Sequence, residues 1–297
     1  MFKKYYKLTK ILIPIETASG ERRVSATPGA VKKLKGLGCE VFVESSAGEL
    51  SGFNDTLYKE SGGEIVSESN INIWENADVV FCVQPPSESN LSKLKKGAIL
   101  LGLLNPYANE KLQKTITSKK ISALSMELLP RISRAQSSDV LSSQANIAGY
   151  KAVLLAASEL DRYFPMLMTA AGTVQPAKVV VLGGGVAGLQ AVATAKRLGA
   201  IVFVSDIRPA VKEQVESLGA RFIELPEIDE KPGESGGYAK AVTPEFLSKQ
   251  KATLTKYLSE ADVAVCTAQV LGKKAPVLID SHMIEKMRPG AVVIDLA

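Results

Sequence analysis

Histidine is all but missing from this 297-residue chain: a single one stands at position 282. Cysteine is nearly as scarce, and Cys39, Cys82 and Cys266 lie far apart, each in or beside an apolar run. No CxxC and no Cys/His spacing exists, which excludes a zinc site and a disulfide framework and suits a reduced, cytosolic setting. Aromatics supply 6% of residues and the lysines are scattered among acids, so a net charge of +5 makes no nucleic-acid surface. The opening MFKKYYK is a small basic tip, but the apolar run behind it is short and meets Pro14 and Glu16 at once. No secretory signal is expected there. The longest uncharged stretch, Val179–Ala195, is interrupted by Gly183, Gly184 and Gly185. It reads as a buried strand–helix unit and not as a membrane span.

What is present is an alternation of short apolar runs with helical patterns. Strands are predicted over Ile11–Ile15, Val41–Glu44, Asp78–Val83, Ala98–Leu103 and Ile121–Leu124, with a helix capped by Thr27 and opened by Pro28. A long helix is expected from Val140 to Tyr163, closed by Pro165. The second half starts again with strands at Val179–Leu182, Ile201–Ser205, Phe222–Glu224, Val263–Thr267 and Ala291–Ile294. Strand–helix alternation of this kind gives parallel sheets covered on both faces. The expected fold is α/β: two Rossmann-like, doubly wound parallel-sheet domains joined by a long helix. Residues 1–140 form the first domain, 141–165 the connection and 166–297 the second.

Gly183-x-Gly185-x-x-Gly188 follows a strand of Val and Leu and opens a helix. The first glycine permits the tight turn and the second lets a pyrophosphate approach the backbone at the helix N-terminus. The third allows close packing of helix on strand. Asp206 ends the next strand about twenty residues on, where a carboxylate would take the ribose hydroxyls and repel a 2′-phosphate. NAD(H) is therefore favoured over NADP(H), although Arg208 is near enough to accommodate such a phosphate.

Ahead of the long helix, Arg131, Arg134, Gln136, Asp139 and Ser142 crowd one short polar span. Ser138 or Asp139 suits the helix N-cap. A cap does not account for two arginines and a glutamine beside it, so a plain helix start and a functional loop both stay open. No group in this span could remove a proton from an alcohol or an amine.

The segments RISRAQSSDVLSSQANIAGY, VLGGGVAGLQ and DIRPAVKEQVESLGA closely resemble the NAD(H)-binding component (alpha subunit, domain I) of proton-translocating transhydrogenase. RRVSATPGAV, ESSAGELSGF and GGYAK do so as well, and the likeness runs from about Ile11 to Ala297. The last several motifs are shared with the related alanine dehydrogenases, whereas the first is the more specific. The resemblance implies an NAD(P)+ transhydrogenase of the Si-specific, proton-translocating class. It also implies that Arg131, Gln136, Asp139 and Ser142 fix the dihydronicotinamide, with Gln136 directed to an NADP(H) held by a partner component. Ile132, Ser133, Arg134, Val186, Asp206, Ile207, Arg208 and Gly237 would line the NAD(H) site, with Gln250 at its adenine end. The glycine-rich segment Leu225–Val242 would be a lid whose contact residue is Tyr238. NADP(H)-binding and membrane components would be partners, and a homodimer on the cytoplasmic face of the inner membrane is implied. The family continues for several dozen residues past Ala297, so a C-terminal truncation is expected.

Oxidising an amine or an alcohol removes a proton together with the hydride, so a base must stand by the substrate. Alanine dehydrogenases are understood to use a lysine and a histidine of the first domain. At those strand ends this chain reads Phe81-Cys82-Val83-Gln84-Pro85-Pro86 and Gly102-Leu103-Leu104-Asn105-Pro106. His282 is far away and reads as a surface residue. Hydride transfer between two nicotinamides needs no base, only two rings held together with water excluded. An amino-acid dehydrogenase and a non-catalytic NAD(H)-binding module are the alternatives.

Overall fold

Every strand of the two large sheets runs parallel to its neighbours, the arrangement expected when β-branched runs alternate with helices. The computed structural model describes residues 8–67, 72–225, 244–269 and 274–297. The chain divides into two units, Met1–Leu141 and Ser142–Ala297.

In the first unit the elements are β1 (Lys10–Ile13), α1 (Pro28–Gly36), β2 (Glu40–Glu44), α2 (Asp55–Glu60), β3 (Glu64–Val66) and α3 (Asn72–Asn76). They continue with β4 (Val79–Phe81), α4 (Glu88–Lys93), β5 (Ile99–Gly102), α5 (Glu110–Lys119) and β6 (Ser122–Ser125). The sheet order is β3-β2-β1-β4-β5-β6, reversing between β1 and β4. Alternate residues of each strand serve opposite faces. Leu12, Val80 and Leu100 pack with Trp74, Leu91, Leu94 and Leu112, whereas Ile13, Val41 and Val43 pack with Val31 and Tyr58. Thr27 caps α1 as expected, accepting from the Ala30 N–H at 3.3 Å with Pro28 at the first helical position.

The helix α6 (Val140–Glu159) carries the chain into the second unit. There follow β7 (Leu167–Thr169), β8 (Gly172–Val174), β9 (Lys178–Leu182), α7 (Val186–Arg197), β10 (Ile201–Ser205), α8 (Val211–Ser217) and β11 (Arg221–Phe222). The unit ends with α9 (Pro244–Ser259), β12 (Val263–Cys266), α10 (Ser281–Glu285) and β13 (Val292–Asp295). Its parallel order is β11-β10-β9-β12-β13, beside a small antiparallel hairpin of β7 and β8. Val179, Val181, Val202, Val204, Val263 and Val265 meet α6, α7 and α8 on one face. Val180, Leu182 and Ala264 meet Leu254, Leu258 and Met283 on the other. Full burial of one such valine or leucine contributes about 1.5–3 kcal/mol. Small residues let α6 and α7 come close: a Cβ on Gly149 would lie 2.0 Å from the Ala187 carbonyl oxygen.

Three sequence expectations need correction. The long helix stops at Glu159 and does not reach Tyr163, because the chain turns so that the Arg162 N–H bonds the Leu160 carbonyl at 2.8 Å. That turn delivers the Arg162 guanidinium to the buried Asp262 at 2.7 Å. The short elements α2, β3 and α3 escaped the sequence reading, being three to six residues long with little periodicity. The β7–β8 hairpin was missed too, since its strands are exposed and carry no alternation of apolar and polar residues.

Candidate functional site

The glycine turn sits at the carboxyl end of β9, the strand on which the sheet order of the second unit reverses. That edge is where open parallel sheets bind ligands. Each glycine has a separate reason. Gly183 has φ +101°, a conformation that L side chains resist. Gly188 is pressed onto the turn, since a Cβ there would stand 1.8 Å from the Gly183 carbonyl oxygen. At Gly185 the backbone is extended with φ −76°, and a Cβ would meet nothing within 4 Å. The protein's own packing asks for no glycine there, and the space beside it is room for an incoming group. Gly185 is also the N-cap of α7, with no side-chain cap and no acid in the first turn. The first N–H groups of a helix are orphan donors and carry the positive end of its dipole. Together they form an anion cradle.

Asp206, just beyond β10, accepts from the Gly184 N–H at 2.8 Å and so ties the turn to the neighbouring strand. Arg208 clasps the same carboxylate through its backbone N–H at 2.8 Å, Nε at 3.0 Å and Nη2 at 2.8 Å. Burial pushes the Asp206 carboxyl up, but the hydrogen bonds from Arg208 and Gly184 together outweigh it and hold it below the usual range. Half the Arg208 side chain is exposed, so this pair contributes no more than about 1 kcal/mol to stability. Val186 and Ile207 expose their side chains beside these groups in sequence, and Gln250 is buried on α9, one turn ahead of Leu254. Gly237 and Tyr238, with the segment proposed as a lid, lie outside the described residues.

The polar loop has its own structure. Ser133–Ser138, which includes Arg134 and Gln136, forms a 3₁₀ helix, and the Asp139 N–H closes it onto the Gln136 carbonyl at 3.2 Å. Arg131, Ile132, Ser133, Arg134 and Gln136 are exposed, while Asp139 and Ser142 are half-buried around the start of α6. Ser138 belongs to the 3₁₀ helix, which leaves Asp139 as the residue immediately before α6. Arg131, Gln136 and Asp139 belong to the first unit; Ser142 and the glycine turn belong to the second.

At the strand ends of the first unit, Gln84 donates from Nε2 to Glu21 at 3.1 Å and from its backbone to Glu16 at 3.0 Å. Asn105 adopts a left-handed conformation, and its N–H meets Glu127 at 2.5 Å. These glutamates were not singled out from sequence. The Arg23 guanidinium, bonded to Glu21, holds that carboxyl down to about 2, which makes it a poor base at neutral pH. Thr267 was also missed: nothing in sequence links it to a glycine turn 84 residues earlier, yet its hydroxyl donates to the Gly183 carbonyl at 2.8 Å. His282 is exposed on α10, as expected. All three cysteines are free thiols, and burial raises Cys82 well above its ordinary value and Cys266 to about 11. Among the described residues no cluster could hold a metal ion, and no helix is long and apolar enough to cross a membrane.

Comparison with known proteins covers nearly all of this architecture. Residues 12–148 match the family described as Alanine dehydrogenase/PNT, N-terminal domain, and residues 152–297 match Alanine dehydrogenase/PNT, C-terminal domain. The chain is 50% identical over 294 residues to the first of the separately encoded pieces of the NAD(P) transhydrogenase alpha subunit of Rhodospirillum rubrum, covering 97% of this chain and 76% of the relative. The crystal structure of a transhydrogenase from Sinorhizobium meliloti superposes with a TM-score of 0.85 at 43% identity, over 96% of this chain and 77% of that one. Alanine dehydrogenase 2 of Staphylococcus aureus is 31% identical over 291 residues, 97% of this chain and 72% of the relative.

Proposed function

The chain belongs to the alanine dehydrogenase/PNT family, and from that premise we propose that it is the NAD(H)-binding component of a proton-translocating transhydrogenase. One observation carries the reading. A formed dinucleotide cradle at Gly183–Gly188 coexists with strand ends at Gln84 and Asn105 that offer neither lysine nor histidine for moving a proton. The higher identity to a transhydrogenase subunit than to an alanine dehydrogenase supports the same choice.

The residues present fit NAD(H). Gly185 leaves room for a pyrophosphate at the N-terminus of α7, and Asp206 supplies a carboxylate for the ribose hydroxyls. Arg208 clasps Asp206 and is not free to serve a 2′-phosphate, which favours NAD(H) over NADP(H). We assign Arg131, Gln136, Asp139 and Ser142 to the dihydronicotinamide end, with Gln136 directed to the second nucleotide on the partner. Ile132, Ser133, Arg134, Val186, Ile207, Gly237, Tyr238 and Gln250 complete the assignment. Bound NADH supplies the hydride that passes to NADP+ on an NADP(H)-binding component. The protein's role is to orient and to exclude water, since no proton changes hands in that step. A membrane component would couple the transfer to proton movement at the cytoplasmic face, with this chain acting as a homodimer.

The test mixes this chain with an NADP(H)-binding transhydrogenase component and follows oxidation of NADH, with L-alanine and NAD+ in parallel. Partner-dependent oxidation without alanine turnover is expected. Alanine turnover, or tight NADH binding with no transfer to any partner, would refute the proposal.

A further inference from the structure

We infer that Thr267 is a positioning residue for nucleotide recognition, acting on Asp206 through the one peptide plane between Gly183 and Gly184. The inference rests on the reading of this turn as the NAD(H) site. Thr267 directly follows β12, which flanks β9 on the side opposite β10. Its N–H bonds the Leu182 carbonyl at 2.8 Å, which places its side chain under the turn. The hydroxyl lies 2.8 Å from the Gly183 carbonyl oxygen and 3.3 Å from that of Leu182. One hydroxyl proton satisfies one acceptor, and the shorter distance selects Gly183.

A trans peptide points its carbonyl and its N–H in opposite directions. With the Gly183 carbonyl drawn towards Thr267, the Gly184 N–H at the other end of the plane faces β10. There it donates to Asp206 Oδ2 at 2.8 Å. Thr267 and Asp206 therefore hold the two ends of one rigid unit, and the carboxylate is oriented from a strand it does not touch. Sterics reinforce the link. A Cβ on Gly183 would come within 2.7 Å of Thr267 Oγ1, and one on Gly188 within 3.1 Å, so the threonine touches both outer glycines. Arg208 holds Asp206 from the solvent side, and Thr267 determines where its inner oxygen stands.

The experiment titrates the full chain with NADH, followed by its fluorescence, in wild type, Thr267→Val, Thr267→Ser and each of these in an Asp206→Asn background. Thr267→Val keeps the shape and removes the donor, and should raise the Kd for NADH roughly three- to tenfold. Thr267→Ser should restore wild-type affinity. In the Asp206→Asn background the valine should cost less than twofold, since residues acting through one another are not additive. Unchanged affinity in Thr267→Val overturns the inference, as does an equal loss with and without the Asp206 carboxylate. A wild-type chain that binds no NADH overturns the reading of the site as well. Should the valine variant fail to fold, Thr267→Ala removes the same hydroxyl without adding a methyl and decides the question by the same comparison.

Discussion

Gly185 and Gly188 differ by three residues and should fail in opposite ways when each is changed to alanine. A Cβ on Gly188 would stand 1.8 Å from the Gly183 carbonyl oxygen, where real contacts stay above 3.0 Å. To admit it, α7 has to move off the turn by more than 1 Å, and the same helix buries Ala191, Val192 and Ala195 completely. Overpacking of this kind costs about 3 kcal/mol, at the upper end of its usual range. For a chain of this size that lowers Tm by about 6–12 °C. At Gly185 the φ of −76° suits any residue and the space is open. Reduced freedom of the unfolded chain stabilises the alanine by about 0.4–1 kcal/mol, and a poorer N-cap offsets most of it. Gly185→Ala should therefore melt within a degree or two of wild type. Its methyl nevertheless fills the approach to the α7 amides. Losing one charge-assisted hydrogen bond costs about 1.5–3 kcal/mol, so the Kd for NADH should rise roughly tenfold to a hundredfold. Melting curves and NADH titrations of the two variants decide the matter. Wild-type affinity in Gly185→Ala, or wild-type melting in Gly188→Ala, would refute the division of roles.

Two further outcomes are expected. Asp262 is buried and accepts from the Lys178 N–H at 2.8 Å, Arg162 at 2.7 Å and Arg288 at 3.2 Å, joining the end of α6 to β9 and β12. Asp262→Ala strands that N–H, while the half-exposed arginines can rehydrate, so a loss of about 2–4 kcal/mol is expected in urea unfolding; less than about 0.5 kcal/mol would contradict the clamp. Glu21 is held down to about 2, chiefly by the hydrogen bond from Arg23, against an ordinary value near 4.5. A depressed carboxyl stabilises the fold above its unfolded pKa and loses that contribution as pH falls through the folded one. Stability should therefore fall more steeply in wild type than in Glu21→Gln between pH 4.5 and 2, and parallel urea midpoints across that window would show that the pair contributes nothing.

Much of this protein could be read directly from the chain. The strand Ile201–Ser205 and the helix Pro244–Ser259 fall where their patterns put them, and the parallel α/β class follows from strand–helix alternation. The glycine spacing and Asp206 identified the nucleotide turn, because that chemistry is local: a tight bend, a close backbone approach and one acid at the next strand end. What sequence could not supply were the relations between residues distant in the chain. Periodicity says that Gly183, Gly185 and Gly188 are glycine; only the packed turn says that one bends, one clears space and one meets a carbonyl. The Arg208 side chain was compatible with either nucleotide until folding closed it on Asp206. Thr267 had no motif at all, since its partner lies 84 residues away and is reached only by placing β12 beside β9. Hydrophobic pattern sets which elements form and which face they bury; the order of strands in the sheet, a tertiary outcome, decides which polar groups meet at their ends.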